Sequence, residues 1–351
     1  MNKKSGRITI YDIAEAAGVS PSTVSKVLNY PASAGVTPET RERIFACAKD
    51  LGYYRVTRDL DKRRDLKRAA VLVPSLSDPH YCEIIRGIEQ VLGRWDILLA
   101  LYCSTNDPQT EVKLMYQISS SPVSGAILIP IAKTSRHIQR LVEDGLGVVA
   151  LEQPTDADCD KIVFRYRRGG FLAAEHLIKR GCRRIAFVGA PVERRTRQDR
   201  LQGYLDALKQ YGLPADEALI RTVDPDPTGR LDPAEFRIGR RLTQDLLEKK
   251  ISFDGIFCIN DITAFGAIQA LNAAGISVPG EIPVIGFNDI PYADMMNPAL
   301  STVRLPAYQM GMLAADMLVR NIWDAGQEHR TLTVEPQLIV RASTANPSAN
   351  Q

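Results

Sequence analysis

The sequence predicts a small all-α helix-turn-helix head joined to an α/β core of two similar parallel-sheet subdomains. Three observations predict it. Residues 8–52 carry apolar positions at helical spacing, punctuated by cap signals, with no strand-like run. From residue 69 onward, short continuous apolar runs alternate with amphipathic helical stretches, the pattern of parallel strands covered on both faces. Charge is divided at the same place: residues 1–68 hold 14 Lys and Arg against 8 Asp and Glu, while the rest holds 30 against 33. A basic head on a slightly acidic body points to a polyanionic partner for the head.

The first helix follows from Ile10, Ile13, Ala14 and Ala17, and Gly18 ends it. Ser20 is a strong N-cap, and Pro21 stands at the first helical position, where a missing N–H costs nothing. The second helix then runs over about 21–29. Thr37-Pro38-Glu39-Thr40 repeats the cap-plus-proline start for a third helix, which Gly52 stops after Leu51. The tight Ala17-Gly18-Val19 turn makes the first two helices a helix-turn-helix. In that motif the second helix enters the major groove. Pro21, Ser22 and Lys26 fall on its exposed side, and Val24, Val27 and Leu28 pack inward. Tyr11, Ser20, Thr23, Ser25 and Asn29 carry polar groups suited to phosphates, which fix register while base contacts specify sequence. The competing reading of these helices is a capped bundle that binds nothing.

Residues 54–68, YRVTRDLDKRRDLKR, are a charged linker with no core face. Beyond it the strand-like runs are AAVLVP, WDILLALY, GAILIP, GVVAL, RRIAFVGA, GIFCIN and PVIGF. They divide into two units near residue 165. The domain reading is a head over 1–53, a hinge over 54–68 and a core over 69–345. Within the core, the first subdomain takes 69–165 and 291–326, and the second takes 166–290 and 327–345. The polar tail, 346–351, is expected to be disordered.

Composition bounds the rest. A chain of 351 residues with 45% hydrophobic and 24% charged residues buries a core without staples. Its six cysteines are scattered with no Cys-x-x-Cys pair, against a zinc ribbon or disulfide framework and in keeping with a reducing cytoplasm. The N-terminal segment has no apolar signal core, and no run of about 18 apolar residues occurs. No Walker A loop, strand-following Gly-x-Gly-x-x-Gly, Gly-x-Ser-x-Gly or His-Glu-x-x-His is present, so no catalytic residues, cofactor or metal are expected. A periplasmic binding protein is disfavoured by the head and the missing signal segment, and a sugar kinase by the lack of phosphate-binding glycines.

The head closely resembles that of the lactose-repressor (LacI/GalR) family. The matching residues are Tyr11-Asp12-Ile13-Ala14, Ala17-Gly18-Val19-Ser20, Thr23-Val24-Ser25, Val27-Leu28-Asn29 and Thr40-Arg41-Glu42-Arg43. The resemblance implies a hinge helix after the head, with Leu60 of Val56-Thr57-Arg58-Asp59-Leu60 as the minor-groove wedge that kinks the duplex. The chain departs from the family here: the stretch from Gly52-Tyr53 to Val56 is about two residues short, and the Tyr30–Val36 loop about two residues long.

The resemblance continues through Pro74-Ser75-Leu76-Ser77-Asp78-Pro79, Gly169-Gly170, Asn260-Asp261, Val278-Pro279, Gly286-Phe287-Asn288-Asp289, Leu300-Ser301-Thr302-Val303-Arg304 and Ile339-Val340-Arg341-Ala342-Ser343. It implies two subdomains like those of periplasmic sugar-binding proteins, with a ligand cleft between them. Ligands in open α/β sheets sit beyond the carboxyl ends of strands. The candidates there are Asp78, His80, Tyr81, Glu152, Arg194, Thr196, Arg200, Asn260, Asp261, Asn288 and Asp289. Arg200, in Arg-x-x-Gly-Tyr, matches a ligand-contacting arginine of the family. The competing reading of each is a loop cap or a salt bridge between subdomains.

Glu193-Arg194-x-Thr196 with Arg200 is similar to the family's purine-repressor branch. Many relatives place Asp-Asn where this chain has Arg165-Tyr166. Arginine binds carboxylates and phosphates by paired hydrogen bonds, so an anionic effector such as a sugar acid or sugar phosphate is expected, ahead of a neutral sugar or purine. The resemblance implies a cytoplasmic homodimeric regulator, reading double-stranded operator DNA with two heads on a two-fold axis. The effector favours one subdomain arrangement. The tail lacks leucine heptads, so tetramerising helices are not expected.

Overall fold

The computed structural model describes residues 9–29, 35–50, 67–132, 134–190, 194–223, 234–323 and 328–345. The predicted hinge wedge Leu60, nearly all of the linker and the tail 346–351 lie outside them. The chain divides into two compact units, residues 1–66 and 67–351.

In the first unit, α1 (Ile10–Ala17), α2 (Pro21–Asn29) and α3 (Pro38–Asp50) fall where the spacing put them. Thr9 donates through its backbone N and Oγ1 to the Asp12 carboxylate, at 2.6 and 2.7 Å, closing the start of α1. Gly18 ends α1 with φ +63°, a left-handed turn that costs glycine nothing. Ser20 Oγ accepts the Thr23 N–H at 3.1 Å, and Thr37 Oγ1 accepts that of Thr40 at 3.3 Å. Ile13, Ala14, Ala17, Val24, Val27, Leu28, Ile44 and Ala48 form the head's core. The Arg43 Nε donates to the Ala17 carbonyl at 3.1 Å and ties α3 to the turn.

The second unit is built on two six-stranded sheets. The first has the order β11-β5-β4-β3-β1-β2, using β1 (Arg68–Val73), β2 (Leu98–Cys103), β3 (Gly125–Leu128), β4 (Gly147–Glu152), β5 (Asp160–Phe164) and β11 (Thr331–Val334), all parallel. The second has the order β12-β10-β9-β8-β6-β7, using β6 (Ile185–Gly189), β7 (Ile220–Thr222), β8 (Gly255–Cys258), β9 (Val284–Asn288), β10 (Ser301–Arg304) and β12 (Gln337–Ile339). Only β12 runs antiparallel to its neighbour there.

Helices cover both faces of each sheet, as buried parallel strands require. They are α4 (Pro79–Arg94), α5 (Pro108–Ser119), α6 (Arg136–Glu143) and α11 (Ala307–Trp323) for the first lobe. The second lobe has α7 (Tyr166–Lys179), α8 (Arg195–Gln210), α9 (Ala234–Glu248) and α10 (Asp261–Ala273). The Gly170 and Gly203 crossing of α7 and α8 positions the cleft. A Cβ on Gly170 would stand 2.2 Å from the Arg200 carbonyl oxygen, and one on Gly203 2.0 Å from that of Arg167.

Two expectations change. The expected division places 291–326 in the first subdomain and 327–345 in the second. Instead β10 pairs with β9 in the second sheet, and β11 pairs with β5 in the first. The chain therefore passes between lobes three times: after β5, after β10 and after β11. Short strands such as STVR and TLTV lack the apolar runs by which the others were read. The run WDILLALY is also no buried strand: β2 is the sheet's outer edge, with Leu98 and Leu101 exposed. The strands β5 and β7 carry no sequence signal that separated them from loops.

Candidate functional site

The head presents the polar side of α2. Ser22 and Lys26 are exposed and Val24, Val27 and Leu28 buried, as the helical spacing predicts; Thr23 and Ser25 are half-buried, and so is Pro21, which was expected on the exposed side. The Ser20 hydroxyl lies 2.7 Å from that of Ser22 and 2.8 Å from that of Thr23, so three hydroxyls gather at the start of α2. Tyr11 is 68% exposed on α1. Asn29 closes α2, and its side chain lies outside the described residues.

In the second unit, the loops after the strands converge from both lobes. The first lobe contributes Asp78, His80 and Tyr81 after β1, Ser104 to Asn106 after β2, and Glu152 and Gln153 at the end of β4. Asp78 caps α4, accepting the His80 N–H at 3.0 Å. His80 and Glu152 are both buried and bonded to each other through Nε2 and Oε1. Burial opposes the charge on His80, but the Glu152 carboxylate and Asp78 outweigh it and raise the imidazole pKa. Burial likewise opposes the charge on Glu152, and His80, Arg200 and Tyr166 hold its pKa down. Asp78 is pushed up by burial and by the Glu235 carboxylate.

The second lobe contributes Tyr166, Arg194, Thr196, Arg197, Arg200, Glu235, Asn260 and Asn288. The Arg200 guanidinium lies 4.9 Å from the Tyr166 ring centroid and 4.3 Å from that of Phe287, and those two rings stack. Its Nη1 donates to the Ile259 carbonyl at 2.6 Å. Arg197 pairs with Glu235 at 2.8 Å, and the Asn260 amide also donates to Glu235. Asn260 caps α10, its Oδ1 accepting the Thr263 N–H at 2.9 Å.

Side-chain hydrogen bonds cross between the lobes. Arg194 Nη2 donates to the Asn106 amide oxygen, and Gln153 Nε2 donates to Thr196 Oγ1 at 3.3 Å. Several buried polar atoms have no hydrogen-bond partner among the described residues: Ser104 Oγ, Arg200 Nε and Asn288 Oδ1. Buried groups of this kind are costly unless something satisfies them. Glu152 and Asn288 also hold φ values of +67° and +111°, conformations that functional sites retain.

Three predicted residues do other work. Arg165 is exposed and pairs with Glu335 at 2.9 Å, where two passages between the lobes meet. Asp261 is fully buried; its carboxylate accepts the Thr302 hydroxyl at 2.6 Å and the Ile290 N–H at 2.9 Å. Asp289 binds Arg304 and Arg341, at 2.6 and 2.8 Å. In turn the structure adds Asn106, Gln153, Arg197 and Glu235 to the cleft. Arg197 stands three residues from both Arg194 and Arg200, so helical spacing alone places it on their face. Glu235 opens α9, far along the chain from any predicted strand end, and carries no such signal.

A helix-turn-helix head and a two-lobed α/β core with a polar interlobe cleft define a DNA-binding regulator of the repressor type. Residues 9–55 match the family described as bacterial regulatory proteins, lacI family, and residues 174–344 match the periplasmic binding protein-like domain. The chain is 30% identical over 344 residues to the HTH-type transcriptional repressor PurR of Proteus mirabilis, covering 96% of this chain and 97% of that protein. It is also 30% identical to the ribose operon repressor of Haemophilus influenzae, covering 95% and 98%. Among solved structures it resembles the transcriptional regulator CelR–cellobiose complex, with TM-score 0.69, 27% identity and 96% and 100% coverage. It also resembles a LacI family regulator from Enterococcus faecium with bound ribose, with TM-score 0.69, 26% identity and 80% and 99% coverage. This chain belongs to the LacI family of transcriptional repressors.

Proposed function

We propose that this repressor is controlled by an anionic small molecule, a sugar acid or sugar phosphate, bound between the lobes of its core. One observation carries the effector class. Among the described residues, no carboxylate lies within ion-pairing distance of Arg194, whose guanidinium is held by a neutral amide. The other cleft arginines are engaged: Arg197 with Glu235, and Arg200 with two rings and a carbonyl. The exposed Arg165 no longer supports this reading, so it rests on Arg194. An anionic oxygen there gains charge-assisted hydrogen bonds. Asp78, His80, Tyr81, Glu152, Tyr166, Thr196, Arg200, Asn260 and Asn288 are the proposed further contacts, and the unbonded atoms of Arg200 and Asn288 are available to a ligand's hydroxyls.

On the DNA side, Lys26 and Ser22 face the bases from α2, while Tyr11, Ser20, Thr23, Ser25 and Asn29 face phosphates. Leu60 is the proposed minor-groove wedge. The protein works in the cytoplasm as a homodimer, matching two half-sites on a two-fold axis.

A second reading, a neutral sugar effector, is favoured by the cellobiose and ribose bound in two structures that this chain resembles. A melting-temperature screen against gluconate, glucuronate, glucose 6-phosphate, glucose, ribose and adenine separates the two. A ligand that binds only the folded state raises the transition by mass action. Stabilisation by the acids alone supports the anionic reading; stabilisation by neutral sugars alone overturns it.

A further inference from the structure

We propose that Asn106 is the resident stand-in for the effector's anionic oxygen: its amide oxygen occupies Arg194, latches the lobes together, and is displaced when the effector binds. The inference rests on the anionic reading for the displacing group, but the latch itself does not.

The loop after β2 places Asn106 there at a conformational cost. Thr105 and Asn106 are consecutive left-handed residues, with φ of +50° and +62°. Asparagine tolerates that region, but a β-branched threonine is rarely found in it. The loop is fixed at its base by the Ser104 N–H to Val73 O bond of 3.0 Å and the Asn106 N–H to Pro74 O bond of 2.8 Å. The Ser104 hydroxyl beside it is fully buried and unbonded among the described residues. A strained loop is thus held in place to offer one neutral acceptor to a cation of the opposite lobe.

The chemistry favours exchange. The Asn106 oxygen is a carbonyl acceptor with a partial charge, whereas a carboxylate or phosphate offers full charge and two oxygens to the guanidinium fork. Displacing Asn106 also removes a hydrogen bond that crosses the lobes, as Gln153 to Thr196 does. The anion that replaces it then decides whether the lobes stay together, so binding and lobe arrangement are linked at Arg194. Asn106 thereby sets both the affinity for acids and the contact between the lobes.

The test uses the full-length wild type, Asn106→Ala and Asn106→Asp. Backbone hydrogen exchange is followed over 152–155 and 194–200 without ligand, and gluconate, glucuronate, glucose 6-phosphate and glucose are titrated calorimetrically. N106A removes the competitor and the latch, so exchange over both segments quickens and the acids bind about tenfold tighter. N106D supplies a resident carboxylate, so exchange slows and acids bind on the order of tenfold more weakly, with glucose unaffected. Unchanged exchange in both variants overturns the latch, whatever binds. Exchange that changes as expected while no acid binds the wild type leaves the latch standing and overturns displacement by an anion, together with the effector class. A circular dichroism spectrum matching wild type for each variant keeps a folding defect from imitating either result.

Discussion

Asp261 gives a sharp test of how burial acts in the second lobe. Its side chain is fully buried at the start of α10, and burial raises its pKa from 3.8 to about 7. The hydrogen bonds from Thr302 and Ile290 pull the other way without overcoming the loss of water. A folded-state carboxyl pKa above the unfolded value means that the unfolded chain ionises first. Stability is therefore unaffected below about pH 4, falls as pH rises towards 7, and levels off above that. About three pKa units at 1.36 kcal/mol each give a total of about 4 kcal/mol, of which roughly 2.5 kcal/mol falls between pH 5 and 8. Asp261→Asn removes this titration while keeping the shape. In urea unfolding of the wild type and D261N at pH 5, 6, 7 and 8, the variant should gain on the wild type by that amount across the series. Groups that titrate in both proteins cancel in the difference. A constant difference between the two proteins at all four values would refute the reasoning, because Asp261 would then be ionised throughout.

Other perturbations give distinct readouts. Lys26→Ala should cost about 1–3 kcal/mol of specific DNA affinity and relax preference at one operator position in a binding-site selection; uniform weakening across sequences would make Lys26 a phosphate contact. Gly170→Ala drives a methyl group into the Arg200 carbonyl oxygen of the facing helix, so calorimetric melting should show a loss on the order of 1–3 kcal/mol, with weaker effector binding as Arg200 shifts. Glu152→Gln removes the stronger of the two carboxylates that raise the His80 pKa and leaves Asp78 alone to oppose burial. The imidazole, followed by nuclear magnetic resonance, should then titrate at lower pH than in the wild type. The raised histidine pKa gives stability that fades as pH rises through it, and the lowered Glu152 pKa gives stability that fades as pH falls through it, so E152Q should lose most between the two.

Much of this was legible in the sequence for physical reasons. Caps and glycine stops are local, so Ser20, Gly18 and Thr37 set the helix boundaries of the head without tertiary information. The central strands announced themselves because both of their faces are buried. The edge strand β2 was announced as a strand but not as half solvated, and β10, β11 and β12 are short, so lobe membership of the C-terminal third needed the pairing itself. At the cleft, the strand-end rule named loops that the structure brings near one another, but not the direction of their side chains. Asp261 and Asp289 follow the correct strands and yet turn to Thr302, Arg304 and Arg341. Arg165 leaves the site for Glu335, whereas Glu235 reaches it from a helix start that no strand announces.

The central claim is that occupancy of the interlobe cleft changes DNA binding. The most direct measurement is fluorescence anisotropy of a labelled operator, obtained by selection from random DNA, titrated with the full-length protein at fixed salt, with and without a saturating acid from the melting screen. The account predicts at least a fivefold change in operator affinity with the acid, the low end of common coupling strengths, and its loss in Arg194→Ala. Equal operator affinity with and without a bound acid would contradict it.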